Sequence, residues 1–251
     1  MSEILWLSEK QFQAIKPYFP LPHGVPRVDD RRVVSGTIHV LKRGLQWRDV
    51  PEVYGPHKTL YTRFRRWSLL GVFDKIFANL VAEGGAPEHL QIDATHLKAH
   101  RTASSLFKRG DVARAIGGTK GGLNSKLHAV CDQDGKPVAL HLSAGQVSDY
   151  KGARALIDTL PKAQALLADR GYDASWLRQA LKAKGIEPCI PPKKNRKKPI
   201  SYDKTLYKQR HKVENMFAKF KDWRRIATRY DRRADIFKAA ITIACIVIWW
   251  I

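Results

Sequence analysis

Apolar positions recur at helical spacing through the first 88 residues. Ser8, with Gln11 three residues on, reads as the N-cap of a short helix that stops near Pro17. Asp30–Arg43 carries Val33, Val34, Ile38, Val40 and Leu41 and then meets Gly44. Lys58–Leu70 interleaves Leu60, Tyr61, Phe64 and Trp67 with Arg63, Arg65 and Arg66, and Val72–Glu83 runs from Gly71 to Gly84-Gly85. Short helices, tight turns and one Arg-rich helix predict a small all-α, helix-turn-helix-like domain over residues 1–88. A plain bundle whose arginines face water is the equal alternative.

After Gly84-Gly85-Ala86-Pro87 the period changes. Leu90–Leu97, His128–Cys131 with its flanks, Val138–Leu142, Ala165–Ala168 and Pro188–Ile190 read as short strands, with Asp132–Gly135 as a hairpin turn. Gly152–Leu160 and Ser175–Lys184 read as helices stopped by Pro161 and Gly185. The order predicts a mixed sheet of five strands with flanking helices over residues 89–251. Arg101–Ser125, polar and rich in Gly and Lys, reads as a mobile connection and holds no P-loop. Leu206–Ala227 reads as one long helix, and Ala239–Ile251 as a buried apolar terminal helix too short to span a bilayer.

Charge narrows the partner. The chain has 251 residues with 45 Lys plus Arg against 23 Asp plus Glu, a net charge of +22. Residues 191–251 hold 17 basic and 5 acidic residues, 17 − 5 = +12, so more than half of the excess lies in the last quarter. It begins with the run 191–199, which reads first as a solvated loop or arm and, as the functional alternative, as a segment that tracks phosphates. Cys131, Cys189 and Cys245 are far apart and form no C-x-x-C pair, which argues against a disulfide framework and for a reducing cytoplasm. No secretory signal is legible in the charged Met1–Lys16. These features point to a cytoplasmic protein that binds a polyanion, nucleic acid first, and no membrane.

The candidate chemistry sits on the segment Leu206–Ala227. Leu206, Val213, Met216, Phe217, Phe220 and Ala227 would form one apolar stripe, and Tyr207, Arg210, Glu214 and Lys221 share an arc of about 60° along its edge. Alone, that row is an ordinary surface salt-bridge ladder. Its spacing, Tyr207-x2-Arg210-x3-Glu214-x6-Lys221, matches the Y-x2-R-x3-E-x6-K signature of bacterial insertion-sequence transposases of the IS4/IS5 type. The stretches Arg210–Asn215 and Trp223–Asp231 also closely resemble the IS5 group, as does Gly44–Pro51 near the N-terminus. Gln91-Ile92-Asp93-Ala94-Thr95 resembles the first strand of that family, and Leu166–Asp173 its fourth. Asp132 and Asp134 read as turn residues, and Asp149 and Asp173 as helix caps or strand ends.

The resemblance implies a ribonuclease-H-like α/β catalytic domain with Asp93, Asp169 and Glu214 as catalytic residues and metal ligands. Three carboxylates suit two Mg²⁺ ions, which Mn²⁺ can replace, because hard cations take oxygen donors and can flank a phosphodiester undergoing in-line displacement. The implied activity is cleavage of the inverted-repeat ends of double-stranded DNA followed by strand transfer to target DNA. A homodimer or larger assembly on DNA, associated with the nucleoid, would carry it out. Arg210 and Lys221 would grip the phosphates, and Tyr207 would position the backbone. Arg170, Lys193, Lys194, Arg63, Arg65 and Arg66 complete the expected DNA contacts. His96, His100 and His128 are weaker candidates, since imidazole suits Mg²⁺ poorly. A non-catalytic DNA-binding regulator built on the same scaffold is the alternative function.

Overall fold

The computed structural model of the chain describes residues 3–21, 29–105, 114–196 and 200–251. Its elements run α1 (Glu9–Ile15), α2 (Asp30–Arg43), α3 (His57–Leu69), α4 (Val72–Glu83), β1 (His89–Ala99), α5 (Arg101–Ser104), β2 (Gly117–Thr119), β3 (Gly122–Cys131) and β4 (Pro137–Ala144). Then follow α6 (Asp149–Leu156), β5 (Ala165–Ala168), α7 (Ser175–Ala183), β6 (Glu187–Cys189), α8 (Lys204–Tyr207), α9 (His211–Lys221), α10 (Arg224–Ala227) and α11 (Ala234–Trp249). They form two compact units. The first comprises Met1–Glu83, His100–Ala113 and Phe220–Ile251, and the second Gly84–Ala99 and Arg114–Lys219.

The first unit is helical. Ser8 and Gln11 form the capping box that the sequence predicts, Asp29 caps α2, and Gly44 ends α2 in the left-handed conformation at φ 80°. Phe19, Phe64, Trp67 and Phe73 meet as an aromatic core, with the Phe19 and Trp67 rings 4.7 Å apart and edge-on. Sequence periodicity groups residues 220–251 with the catalytic portion, but they pack in this unit. The reason is α11: Ile236, Phe237, Ile241, Ile243 and Ile246 on successive faces are all buried, so the helix must be enclosed by other helices. Lys238 pairs with Asp74 at 3.0 Å and Trp250 lies edge-on to Phe77, tying α11 to α4. No helix among the described residues is long and apolar enough to cross a membrane.

The second unit is built on a sheet. β1 pairs antiparallel with β3 and β3 with β4, while β5 and β6 run parallel to β1 on its other side. Along the sheet the five main strands therefore lie in the order β4-β3-β1-β5-β6, three antiparallel and two parallel, the ribonuclease-H-like arrangement. Asp132 makes the β3–β4 turn by accepting hydrogen bonds from the Asp134 and Lys136 amides, and Gly135 supplies φ 77°. The stretch expected to be a mobile connection holds α5 and the β2–β3 hairpin of Gly117–Ser125, where Gly122 at φ 92° makes a tight turn, and residues 106–113 lie outside the described residues. Leu90, Ile92, Leu166, Ala168, Tyr172, Leu177 and Leu181 form the core on one face of the sheet, under α6 and α7.

Gly36 shows how tightly the helical unit packs. A Cβ there would lie 2.5 Å from Leu60 Cδ2 and 2.8 Å from Tyr54 Cβ. The ring stem at Tyr54 cannot swing away. Gly36→Ala gains about 1 kcal/mol of helix propensity but incurs an overpacking cost of about 1–3 kcal/mol. The expected result is a lower urea midpoint with an unchanged slope, and a raised midpoint would show that the contact relaxes freely.

Candidate active site

Strand parity places two of the three acids. Leu90 and Ile92 point into the core under α6 and α7, so Gln91 and Asp93 take the opposite face of β1. On β5, Ala165 and Leu167 pack on that opposite face against Tyr202, Leu206 and Tyr207, and Asp169, two residues beyond Leu167, follows them. The parallel register joins Gln91 to Leu167 and Ile92 to Ala168, which brings Asp93, midway along β1, beside Asp169, just past the end of β5. Gly171 lets the chain turn there: a Cβ on it would stand 2.8 Å from Asp169 Oδ1.

The segment carrying the third acid is not the single helix that its periodicity predicts. It forms α8, a 3₁₀ turn at Lys208–Arg210, α9 and, after a break at Asp222-Trp223, α10. The apolar stripe survives as Val213, Met216, Phe217 and Phe220, all buried. Gln91, fully buried on β1, accepts a hydrogen bond from the Val213 amide at 3.2 Å and so fixes the first turn of α9 to the strand carrying Asp93. Only its parity with Asp93 signals Gln91 in the sequence, and sequence reasoning overlooked it. Arg210 Nη1 donates to Asp93 Oδ2 at 2.9 Å, and Arg210 Nη2 donates to Glu214 Oε1. Burial raises the Tyr207 hydroxyl above its ordinary range, and the neighbouring Arg210 charge pulls it back. Lys221, exposed, closes α9 about two turns after Glu214.

These contacts set the charge of the site. Burial raises the Asp93 carboxyl above its ordinary range; the Ala94 amide and the Arg210 charge pull it back, and Asp169 pushes it up again. The side chains of Asp93 and Arg210 are 22% and 18% exposed against 55% for Glu214, so the first pair is shielded and Glu214 faces water. Asp169 Oδ1 is buried without a hydrogen-bond donor. Burial also raises the pKa of Tyr172, whose hydroxyl has no hydrogen-bond partner and feels Asp149, Asp93 and Asp169. No three acids, histidines or cysteines among the described residues converge as a ready metal cage. The oxygen donors of Asp93 and Asp169 nevertheless suit a hard divalent cation, and the unsatisfied Asp169 oxygen lacks only a positive partner.

The remaining candidates divide. Arg170, Lys194, Arg65 and Arg66 are exposed. Arg63 pairs with Asp30, and its guanidinium carbon lies 4.6 Å from the centre of the Trp67 ring, a packing role. Lys193 donates to the Tyr150 hydroxyl and lies over its ring. His96 meets Asn124 at 3.0 Å, and His128 is buried against Ser143 with its pKa lowered to about 4 by burial first and Lys126 second. Asp149 pairs with Lys126 at 2.7 Å. Asp173 is the anchor of the basic segment: it receives Arg178, Arg196 and the Lys193 amide. That part of the run is a docked strap, and residues 197–199 lie outside the described residues.

Comparison with known proteins adds the ancestry. A "Transposase DDE domain" family model matches residues 84–249, and a model of the IS4/5 transposase family matches residues 7–77. A Burkholderia cepacia protein assigned as transposase for insertion sequence element IS402 is 36% identical over 137 residues, 50% of this chain and 63% of that protein. The chain thus spans less than two thirds of that relative. A Brucella ovis protein assigned to element IS6501 in the same role is 35% identical over 129 residues, 51% of this chain and 98% of its own length. Among solved structures, a piggyBac transposase synaptic complex with hairpin DNA aligns over 94% of this chain and 69% of its own, with a TM-score of 0.52 and 10% identity, a likeness of fold alone.

The Asp173 anchor yields a titration test. Burial would raise this carboxyl, but Arg196, the Lys193 amide and Arg178 outweigh it and hold it at about 2, below its ordinary 3.8. A depressed carboxyl contributes stability above its unfolded value, and that contribution is lost as pH falls towards 2. Asp173→Asn is expected to remove on the order of 2 kcal/mol at pH 7 and to flatten the acid limb of the stability curve between pH 4 and 2. Denaturant titration across that range checks it, and an unchanged acid limb would contradict the anchor.

Proposed function

Because the chain belongs to the DDE transposase family, in the IS4/IS5 type of insertion sequences, we propose that it cuts the inverted-repeat ends of a DNA element and joins them to target DNA. One observation carries the reading: Arg210 links Asp93 on the central strand to Glu214 on α9, with Asp169 at the adjacent strand end. Two acids from separate elements that share one guanidinium, with a third at the neighbouring strand end, serve no purpose in packing alone.

DDE domains depend on divalent metal. Asp93, Asp169 and Glu214 would hold it, and two Mg²⁺ ions, or Mn²⁺ in their place, would activate the attacking oxygen and stabilise the leaving one. The chain's own groups do the rest. In the first step water attacks the phosphorus, the P–O3′ bond of the element end breaks, and the strand leaves with a free 3′-hydroxyl. In the second, that hydroxyl attacks a target phosphodiester, a new P–O bond forms, and the target 3′-oxygen leaves. Arg210 is already charged and oriented, so substrate phosphate can take it from Glu214 without reorganisation elsewhere. Tyr207, beside Arg210, would position the DNA backbone. Lys221, Arg170, Lys194, Arg65 and Arg66 offer exposed charge to the DNA backbone, and the +12 of residues 191–251 is where salt would weaken binding. The engaged side chains of Arg63 and Lys193 act as packing groups first. The enzyme works as a homodimer or larger assembly on paired ends, in the nucleoid.

Asp93→Ala, Asp169→Ala and Glu214→Ala are each expected to lower end cleavage at least a hundredfold, about 3 kcal/mol of barrier, while DNA affinity changes less than threefold. Gel assays with Mg²⁺ on labelled inverted-repeat ends read both. Normal cutting by any of the three would remove that residue from the site. A non-catalytic regulator predicts no product even from a pre-nicked end with Mg²⁺ or Mn²⁺, and EDTA should abolish cleavage without releasing the DNA if the carboxylates act through metal.

A further inference from the structure

Glu214 is held by its ion pair with Arg210, and that hold ends when the guanidinium turns to substrate phosphate. The Glu214 side chain is 55% exposed, so packing does not fix it either. At the moment of reaction its position therefore depends on the backbone of the first turn of α9. The buried side chains of Val213, Met216 and Phe217 seat that helix through non-directional contacts. Such contacts resist lifting of the helix but not a small slide or roll.

Two directional ties act on the residues just before Glu214. On one side Gln91 Oε1 accepts from the Val213 amide at 3.2 Å, one of the first-turn N–H groups that have no acceptor within a helix. Gln91 lies two residues before Asp93 on the same face of β1, so this tie refers Glu214 to the strand that carries Asp93. On the other side Lys212 Nζ donates to the Gln133 carbonyl in the β3–β4 turn at 2.6 Å. That turn abuts the helix: a Cβ on Gly135 would stand 3.3 Å from the Lys212 carbonyl oxygen.

Stability alone does not call for Gln91. It is fully buried, and its Nε2 has no hydrogen-bond partner among the described residues, an unfavourable arrangement that an apolar side chain of the same length avoids. We propose that Gln91 and Lys212 are positioning residues for DNA cleavage. By clamping the two residues before Glu214, they keep its carboxylate set against Asp93 while Arg210 engages DNA. Neither touches the reacting atoms, and both act through the α9 backbone. This rests on the transposase reading, which makes Glu214 a metal ligand.

Gln91→Met keeps the length of the side chain and removes the acceptor. In the full chain it is expected to lower Mg²⁺-dependent cleavage of labelled inverted-repeat ends about ten- to a hundredfold, with affinity for the same DNA unchanged. Mn²⁺ binding to the chain held on an already cleaved end, read from the free-ion electron paramagnetic resonance signal against the DNA alone, should weaken about tenfold. The urea midpoint should match wild type, because relief of the unpaired Nε2 offsets the amide left without an acceptor. Lys212→Met, at a half-buried position, should shift cleavage and Mn²⁺ binding in the same direction by a smaller factor. The decisive comparison places Gln91→Met in a Glu214→Ala chain: with the carboxylate gone, Mn²⁺ affinity should fall no further. Wild-type cleavage and Mn²⁺ affinity in Gln91→Met overturn the proposal. So does a further loss in the double variant, or a lowered midpoint, each of which makes Gln91 a residue of the fold only. A wild-type chain that neither cleaves nor binds Mn²⁺ overturns the transposase reading of the site and the clamp with it.

Discussion

A carboxylate turned toward the interior keeps its charge only if a cation comes to it, and Asp93 has Arg210. That contact bridges the sheet and the helical segment packed on it, and the local geometry follows from making it. Arg210 can reach Asp93 because the chain leaves α8 through a 3₁₀ turn before starting α9. The same guanidinium then restrains Glu214 one turn on, while Gln91 pairs with the Val213 amide. One buried charge thus sets the register between β1 and α9. It leaves Asp169 beside it with an oxygen still lacking a donor.

Such a site is stable and unfinished at once. Two acids share one guanidinium and a third has no cation among the described residues, so bound metal and phosphate would complete interactions left open there. Pairing by Arg210 also keeps like charges from forcing β1 and β5 apart before substrate arrives.

The basic charge has two separate uses. Arg178, Arg196 and Lys193 are spent on folding, gathered by Asp173 and Tyr150. Arg63 is spent likewise on Asp30 and Trp67. What remains for a polyanion is smaller than the net charge suggests and is carried by exposed residues such as Arg170, Lys194 and Lys221. Counting charges names the partner class but overstates how many touch it.

By itself the sequence determined the five main strands, the β3–β4 turn, the cap of α1 and the glycine stop of α2. Each of these depends on local chemistry: period, turn residues or capping oxygens. Tertiary structure decided the rest. The break at Lys208–Arg210 is invisible to periodicity, because the apolar stripe continues through it, and only the pull of a strand more than a hundred residues earlier explains it. Glycines at 117–122 read as slack until pairing with β3 made them a hairpin. The all-round apolar α11 announced burial but not its location, since a helix without a polar face carries no directional signal. Which arginines hold the fold and which meet solvent was equally undecided, because a guanidinium reads the same in sequence whether its partner is an aspartate or water.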